Sequence, residues 1–181
     1  YPRMFNVNNS KTEFKKAEAW LQGEYSSVHT GRATPMILDN ISVESYGDYQ
    51  PIKNVGSITV EDPKTLRIVP WDKDMIKAIE KAVNDADLGL SVASDDQGLR
   101  VIFPMLTTET RSKLVKVLKD KLEDARITVR KIREEELNKM KGLGLPEDAA
   151  HRAKEELQKA VDEANKNLEE IFNKKEVEVM G

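Results

Sequence analysis

Apolar residues recur along the chain in two rhythms, and the change between them divides the sequence. Phe14, Ala17, Leu21, Tyr25 and Val28 are spaced three or four apart, which is one face of a helix. Asn9-Ser10 can cap that helix, which then runs to about Val28. Trp20 is assigned to its packed side, because large aromatics mostly serve packing. After the stretch HTGRATPMILD, residues 29–39, the period shortens to two. Ile41, Val43 and Ser45 alternate with polar neighbours and predict a strand, followed by a turn at Gly47-Asp48. Residues 56–61 and 66–69 flank Asp62-Pro63-Lys64-Thr65 as a hairpin. Asp72 or Asp74 can start a helix carrying Met75, Ile76, Ile79 and Val83. Residues 99–103 predict a last strand, closed by Pro104.

The helical rhythm then returns. Leu114, Leu118, Leu122, Ala125, Val129 and Ile132 keep nearly the spacing of a bundle seam in a helix from about Thr107 to Lys141. Such a helix would be about 50 Å long. Gly142-Leu143-Gly144-Leu145-Pro146 ends it, and Pro146 suits the first turn of the next helix. That last helix presents Ala153, Leu157, Ala160, Ala164, Leu168 and Ile171. Two such helices would leave their apolar stripes half exposed, and the first helix supplies the third stripe. The expected fold is α+β: a long three-helix bundle, residues 1–31 plus 106–181, with a small β-rich α/β domain, residues 32–105, inserted after the first helix. The connections near 31–35 and 104–106 are expected to act as hinges, formed by Gly31, Arg32, Ala33, Thr34 and Pro35 on one side and Pro104 and Met105 on the other. Gly31 suits a helix C-cap, and Pro35 biases Thr34 toward extended geometry. Arg32 has two readings, a contact to RNA or a lock paired with a carboxylate, and the second is favoured.

Composition narrows the function. The chain has 181 residues, no cysteine and only two histidines. Disulfides and thiolate metal sites are therefore excluded, a histidine-rich metal site is not expected, and a reducing compartment is. No phosphate-binding glycine loop or serine elbow occurs, so no enzyme and no cofactor are expected. The carboxylate pairs Asp72/Asp74 and Asp95/Asp96 are assigned to turns and caps. The first residues show no signal-peptide core, and no apolar run approaches the ~18 residues of a membrane helix. The cytoplasm is the expected location, with an organellar stroma or matrix as the alternative. The chain does not begin with Met, which leaves the native start open.

The net charge is −3, but it is unevenly spread. Residues 32–105 carry 8 basic and 12 acidic side chains, whereas residues 106–146 carry 11 and 7. Lys119, Arg126, Arg130 and Arg133 are spaced 7, 4 and 3, each one position after a seam residue, so they form an outward stripe beside the core. Arginine offers a planar fork suited to phosphate, and the stripe reads either as a solvated bundle face or as a nucleic-acid surface. No aromatics interleave with it, which favours a structured RNA backbone over stacked single-stranded bases.

Assembled in order, several segments resemble the ribosome recycling factor family. They are Thr30-Gly31-Arg32-Ala33 with Pro35; Leu38-Asp39; Val43-Glu44 with Tyr46-Gly47; Ile79-Glu80-Lys81-Ala82; and Asp87-Leu88-Gly89-Leu90. Pro104 with Leu106-Thr107, and Ala125-Arg126 with Val129-Arg130, Ile132 and Arg133, complete the series. The resemblance implies an L-shaped, tRNA-like molecule that binds post-termination ribosomes along large-subunit rRNA. It implies that elongation factor G, hydrolysing GTP, acts with the factor to split the subunits and release them from mRNA. It assigns RNA contact to Arg130 and Arg133 first and to Arg111 and Arg126 next, with Lys119 joining them by its place on the stripe. A monomer is expected. The acidic insert fits a protein partner better than RNA. Three positions depart from the family pattern: His29, Thr110 and Glu134 stand where arginine is common. A helical module that grips partner proteins is the rival reading. It predicts exposed apolar helix faces and little dependence on salt.

Overall fold

The computed structural model describes residues 5–181, so the first four positions of the expected bundle segment 1–31 lie outside the described residues. The fold is α+β, and the chain divides into two compact units. The first comprises residues 1–25 and 115–178; the second comprises residues 26–114 and 179–181.

Three helices build the first unit: α1 (Val7–Ser26), α4 (Thr108–Leu143) and α5 (Glu147–Met180), each running to or past its boundary. The Tyr25 hydroxyl on α1 donates to the Leu118 carbonyl on α4 at 2.6 Å, and Lys121 pairs with Glu24 at 3.3 Å. Arg133 on α4 donates to Gln158 on α5 at 3.1 Å. These contacts set α4 antiparallel to both neighbours. Phe14, Leu21, Leu118, Leu122, Leu157 and Leu168 fill the space between the helices. Burying each of these side chains contributes about 1.5–3 kcal/mol.

The cap of α1 is Asn6, whose Oδ1 accepts from the Asn8 amide at 2.9 Å, rather than the expected Asn9-Ser10. Ser10 instead lies within the helix, fully buried, and its Oγ has no partner among the described residues. Trp20 corrects the assignment to the core: it is 42% exposed, because Leu21 and Ala17 occupy the inward direction. The seam of α4 also drifts. Leu114 and Ile132 are half-buried, and beyond Val129 the buried positions are Glu136 and Met140. Glu136 is tolerated there because Lys139 reaches it at 3.2 Å. On α5, Phe172 takes the buried place expected for Ile171.

Tyr25 combines burial with its bond to a carbonyl oxygen, which accepts only from the neutral phenol. Burial pushes its pKa up to about 12, and the positive charge of Arg126 opposes the rise. The folded value exceeds the unfolded one. Tyr25 therefore stabilises the fold below pH ~10, and that contribution of about 2–3 kcal/mol is lost as pH rises through about 12. Urea titrations between pH 9 and 12 should show a steeper decline for the parent than for Tyr25→Phe. Parallel declines would contradict this.

The second unit holds two antiparallel sheets. A two-stranded hairpin pairs β1 (Ser42–Ser45) with β2 (Asp48–Pro51). Its two turn residues, Tyr46 and Gly47, both have positive φ, of 50° and 88°. A one-turn helix, α2 (Ile52–Val55), leads into a four-stranded sheet of order β3-β4-β6-β5. Its strands are β3 (Gly56–Asp62), β4 (Thr65–Pro70), β5 (Ser91–Ser94) and β6 (Leu99–Ile102). Helix α3 (Ile76–Asp85) follows a 3₁₀ turn (Lys73–Met75). As expected of a cap, Asp72 accepts from the Asp74 amide at 2.9 Å. Ile52, Leu66, Ile68, Ile79, Leu99, Val101 and Phe103 form the core with Ile37 and Leu38 from a 3₁₀ turn (Pro35–Leu38). The strands β2 and β5 and the turn helices at 35–38 and 52–55 were not expected from the pattern. Each has at most four residues, too few to display a period.

Asp95 organises the open face of the larger sheet. It accepts from Arg67 at 2.8 Å, from Arg100 at 3.2 Å and from the amides of Gln97 and Gly98. The Arg67 hydrogen bond, followed by those two amides, holds its carboxyl well below the usual range. This lets Arg67 and Arg100, like charges directly opposite each other across β4 and β6, coexist.

Candidate nucleic-acid interface

Helix α4 is capped by Thr107, whose Oγ1 accepts from the Thr110 amide at 3.1 Å. It stops where Gly144 turns to φ +60°. Leu118, Leu122, Ala125 and Val129 face inward. Lys119, Arg126 and Arg130 each follow one of them, and the helical turn of about 100° per residue carries their side chains to the flank. Lys119 and Arg130 are exposed; Arg126 and Arg133 are half-buried. The stripe therefore lies along one flank of α4, the side on which Arg133 meets Gln158 of α5.

The four cations differ in how they are held. Among the described residues, neither Lys119 nor Arg126 has an ion pair within 4.0 Å. Arg130 pairs with Glu123 of its own helix at 2.7 Å, and both side chains are mostly exposed. Such a pair is worth about 0–1 kcal/mol, so a phosphate can replace it at little cost. Arg133 lines a shallow groove with His151, Lys154 and Gln158, about 390 Å³ in volume. His151 and Lys154 were not singled out from the sequence, because their segment, residues 147–181, is net acidic and nothing in the spacing places them beside Arg133.

Arg111 lies apart from this stripe, in the second unit. It is half-buried, and its guanidinium donates to the carbonyls of Val179 at 3.1 Å and Leu106 at 3.5 Å. A cation there complements the carbonyls left open at the end of α5. Arg111→Ala should destabilise the second unit by about 1–3 kcal/mol. It should also speed amide exchange in residues 179–181. Unchanged stability and exchange would show the clasp to be idle.

The expected hinge residues also lie in the second unit, whose boundaries fall at Tyr25/Ser26, Leu114/Val115 and Glu178/Val179. Gly31 has φ +85°, and its Cα faces the Leu106 side chain. The Ala33 amide donates to Pro63 at 2.8 Å, and Phe103 donates to Lys64 at 2.7 Å. Thr34 is extended, with φ −138° and ψ 131°, ahead of Pro35. Pro104 and Met105 are exposed. Arg32 is exposed and, among the described residues, pairs with no carboxylate; the favoured reading as a lock is therefore corrected. His29 is buried, its Nδ1 accepts from the Gly31 amide at 3.0 Å, and its ring stands edge-on to Phe103. The departure at position 29 therefore lies inside the unit, whereas Thr110 and Glu134 are exposed.

The family model described as ribosome recycling factor matches residues 21–180. A ribosome-recycling factor of Desulforamulus reducens is 39% identical over 177 residues, covering 96% of each chain. One from Deinococcus radiodurans is 42% identical over 174 residues, covering 96% of this chain and 95% of its own. The solution structure of a ribosome recycling factor superposes with a TM-score of 0.79 at 34% identity, covering 96% of this chain and 95% of that one. The T. thermophilus ribosome recycling factor, described with E. coli elongation factor G bound to the E. coli post-termination complex, gives 0.63 at 36% identity, with 97% of both chains covered.

Proposed function

This chain belongs to the ribosome recycling factor family, whose members are non-enzymatic translation factors, and on that premise we propose that it binds post-termination ribosomes. Together with elongation factor G and GTP hydrolysis by that factor, it promotes subunit splitting and release from mRNA. The observation that carries this reading is the stripe of Lys119, Arg126, Arg130 and Arg133. It is a row of cations on one helix flank, three of them without an ion pair among the described residues, set to meet a phosphate backbone. The T. thermophilus relative's description with elongation factor G on a post-termination complex supports the same partners here.

The division of labour follows from charge. The first unit binds large-subunit RNA through α4, and the net-negative insert faces protein. Residues 31–35 and 104–105 act as hinges through which the motor's movement is transmitted. The chain works as a monomer in the compartment that holds its ribosomes. Light scattering of post-termination ribosomes mixed with elongation factor G, GTP and this chain tests the reading directly. Splitting is expected, and its absence with a matched ribosome and motor would reject it. Inserting about four glycines after Ala33 lengthens one connection without removing a cation. Ribosome binding should persist while splitting slows about tenfold or more. Normal splitting would reject the hinge.

A further inference from the structure

The second unit exposes three large aromatic side chains within 26 residues: Tyr46 at 87%, Tyr49 at 73% and Trp71 at 71%. A unit with a well-filled core gains nothing internally from leaving them in water. The β1–β2 turn carries Tyr46 at φ +50°, a conformation costly for a residue with a bulky side chain. Its hydroxyl donates to Asp72 Oδ2 at 2.7 Å, tying the hairpin tip to the segment that carries Trp71. Asp72 is itself fixed by the Asp74 amide, and the Trp71 amide donates to the Val55 carbonyl at 3.0 Å. The Tyr46 ring is thus tied to a carboxylate, and the exposed Trp71 precedes that carboxylate in the chain with its backbone anchored. Tyr49 stands three residues beyond Tyr46, directly opposite Glu44 in the hairpin.

Aromatic faces beside carboxylates suit one kind of ligand. An ammonium or guanidinium is drawn both to the ring face and to the negative charge. Glu44, Asp72 and Asp74 outnumber the exposed Lys73 between the last two, so the patch is net negative, which disfavours phosphate and with it RNA and an anionic membrane. We propose that Tyr46, Trp71 and Asp72, flanked by Tyr49, Glu44 and Asp74, form a docking surface for a lysine- or arginine-bearing protein segment. Tyrosine and tryptophan are the side chains on which protein interfaces most often depend. This surface does not rest on the ribosome reading, and its test needs no ribosome.

The test is a titration of the full chain carrying Trp20→Phe, which leaves Trp71 as the sole tryptophan. The probe is hexa-arginine amide, with hexaglutamate and oligouridylate as comparisons. Trp71 fluorescence should change saturably with hexa-arginine alone. Tyr46→Ala and Asp72→Asn should each weaken that binding about fivefold. Asp87→Asn removes an exposed charge elsewhere in the unit and should leave it unchanged. Calorimetry on Trp71→Ala and Trp71→Phe completes the set: alanine abolishes the signal, phenylalanine retains most of it, and both keep the parent's far-UV dichroism. An equal loss with Asp87→Asn, or full binding by Trp71→Ala, would reduce the effect to general charge attraction and overturn the proposal. So would a response to oligouridylate, or no response to hexa-arginine.

Discussion

Replacing Arg130 and Arg133 together by alanine is expected to weaken ribosome binding about a hundredfold. The fold should survive, because one side chain is exposed and the other half-buried. The Arg130–Glu123 pair is a surface pair of about 0–1 kcal/mol, and the Arg133 bond to Gln158 is likewise at the surface. The loss would therefore be one of cation–phosphate contacts. Each such contact releases about 0.9 counterion, so the slope of log affinity against log salt should fall by about two. Sedimentation of ribosomes with parent and variant at several salt concentrations measures both quantities. An unchanged affinity with an unchanged slope would remove the stripe from the interface. A weaker affinity with the same slope would point to distortion instead of lost charge. A protein-gripping bundle would show almost no slope in either form.

Gly98→Ala is the second large effect, and it acts on stability. Gly98 lies just before β6, and a Cβ there would collide with the carbonyl oxygen of Ile68 on β4. That oxygen is fixed in the sheet, and Leu99 is the register partner of Ile68. The Gly98 amide also donates to Asp95 Oδ1 at 2.9 Å, so moving the loop would disturb the group that reconciles Arg67 with Arg100. The cost should be about 3 kcal/mol or more. For a unit of this size that lowers the melting temperature by roughly 12 °C or more. Trp71 fluorescence in the Trp20→Phe background would report the transition of the second unit. Gly142→Ala is the contrast: nothing lies within 4 Å of its new Cβ inside α4, and a gain of about 0.5–1 kcal/mol is expected. A mild effect at Gly98 would mean that β6 can slide away from β4.

How much of this was legible in the sequence depends on the reach of each signal. The long helices were, because α4 and α5 repeat their apolar pattern over 36 and 34 residues. The hairpin around Pro63-Lys64 was, because turn chemistry is local. Trp20 was misplaced because its polarity alone does not say which side of α1 it occupies, one step from Leu21. Glu136 was missed because a carboxylate at a seam position is permitted only by Lys139, a neighbour on the outer side. At the candidate site, the stripe could be read from spacing within one helix. The bond from Arg111 to the Val179 carbonyl was not legible, because the two lie 68 positions apart. A separation of 26 positions likewise hid the tie between Tyr46 and Asp72.

The discontinuity of the first unit also sets a timetable. During synthesis α1 emerges with its face of Phe14, Leu21 and Tyr25, but the segments that cover it begin only at Val115. The intervening stretch of about 90 residues takes roughly 5–20 s to make at about 5–20 residues per second. Nearly all of the second unit is complete by then and free to fold, while α1 waits as an unpaired amphipathic helix. Newborn chains of this factor should therefore be most vulnerable to aggregation, and most in need of a chaperone, in that interval, with the bundle closing last.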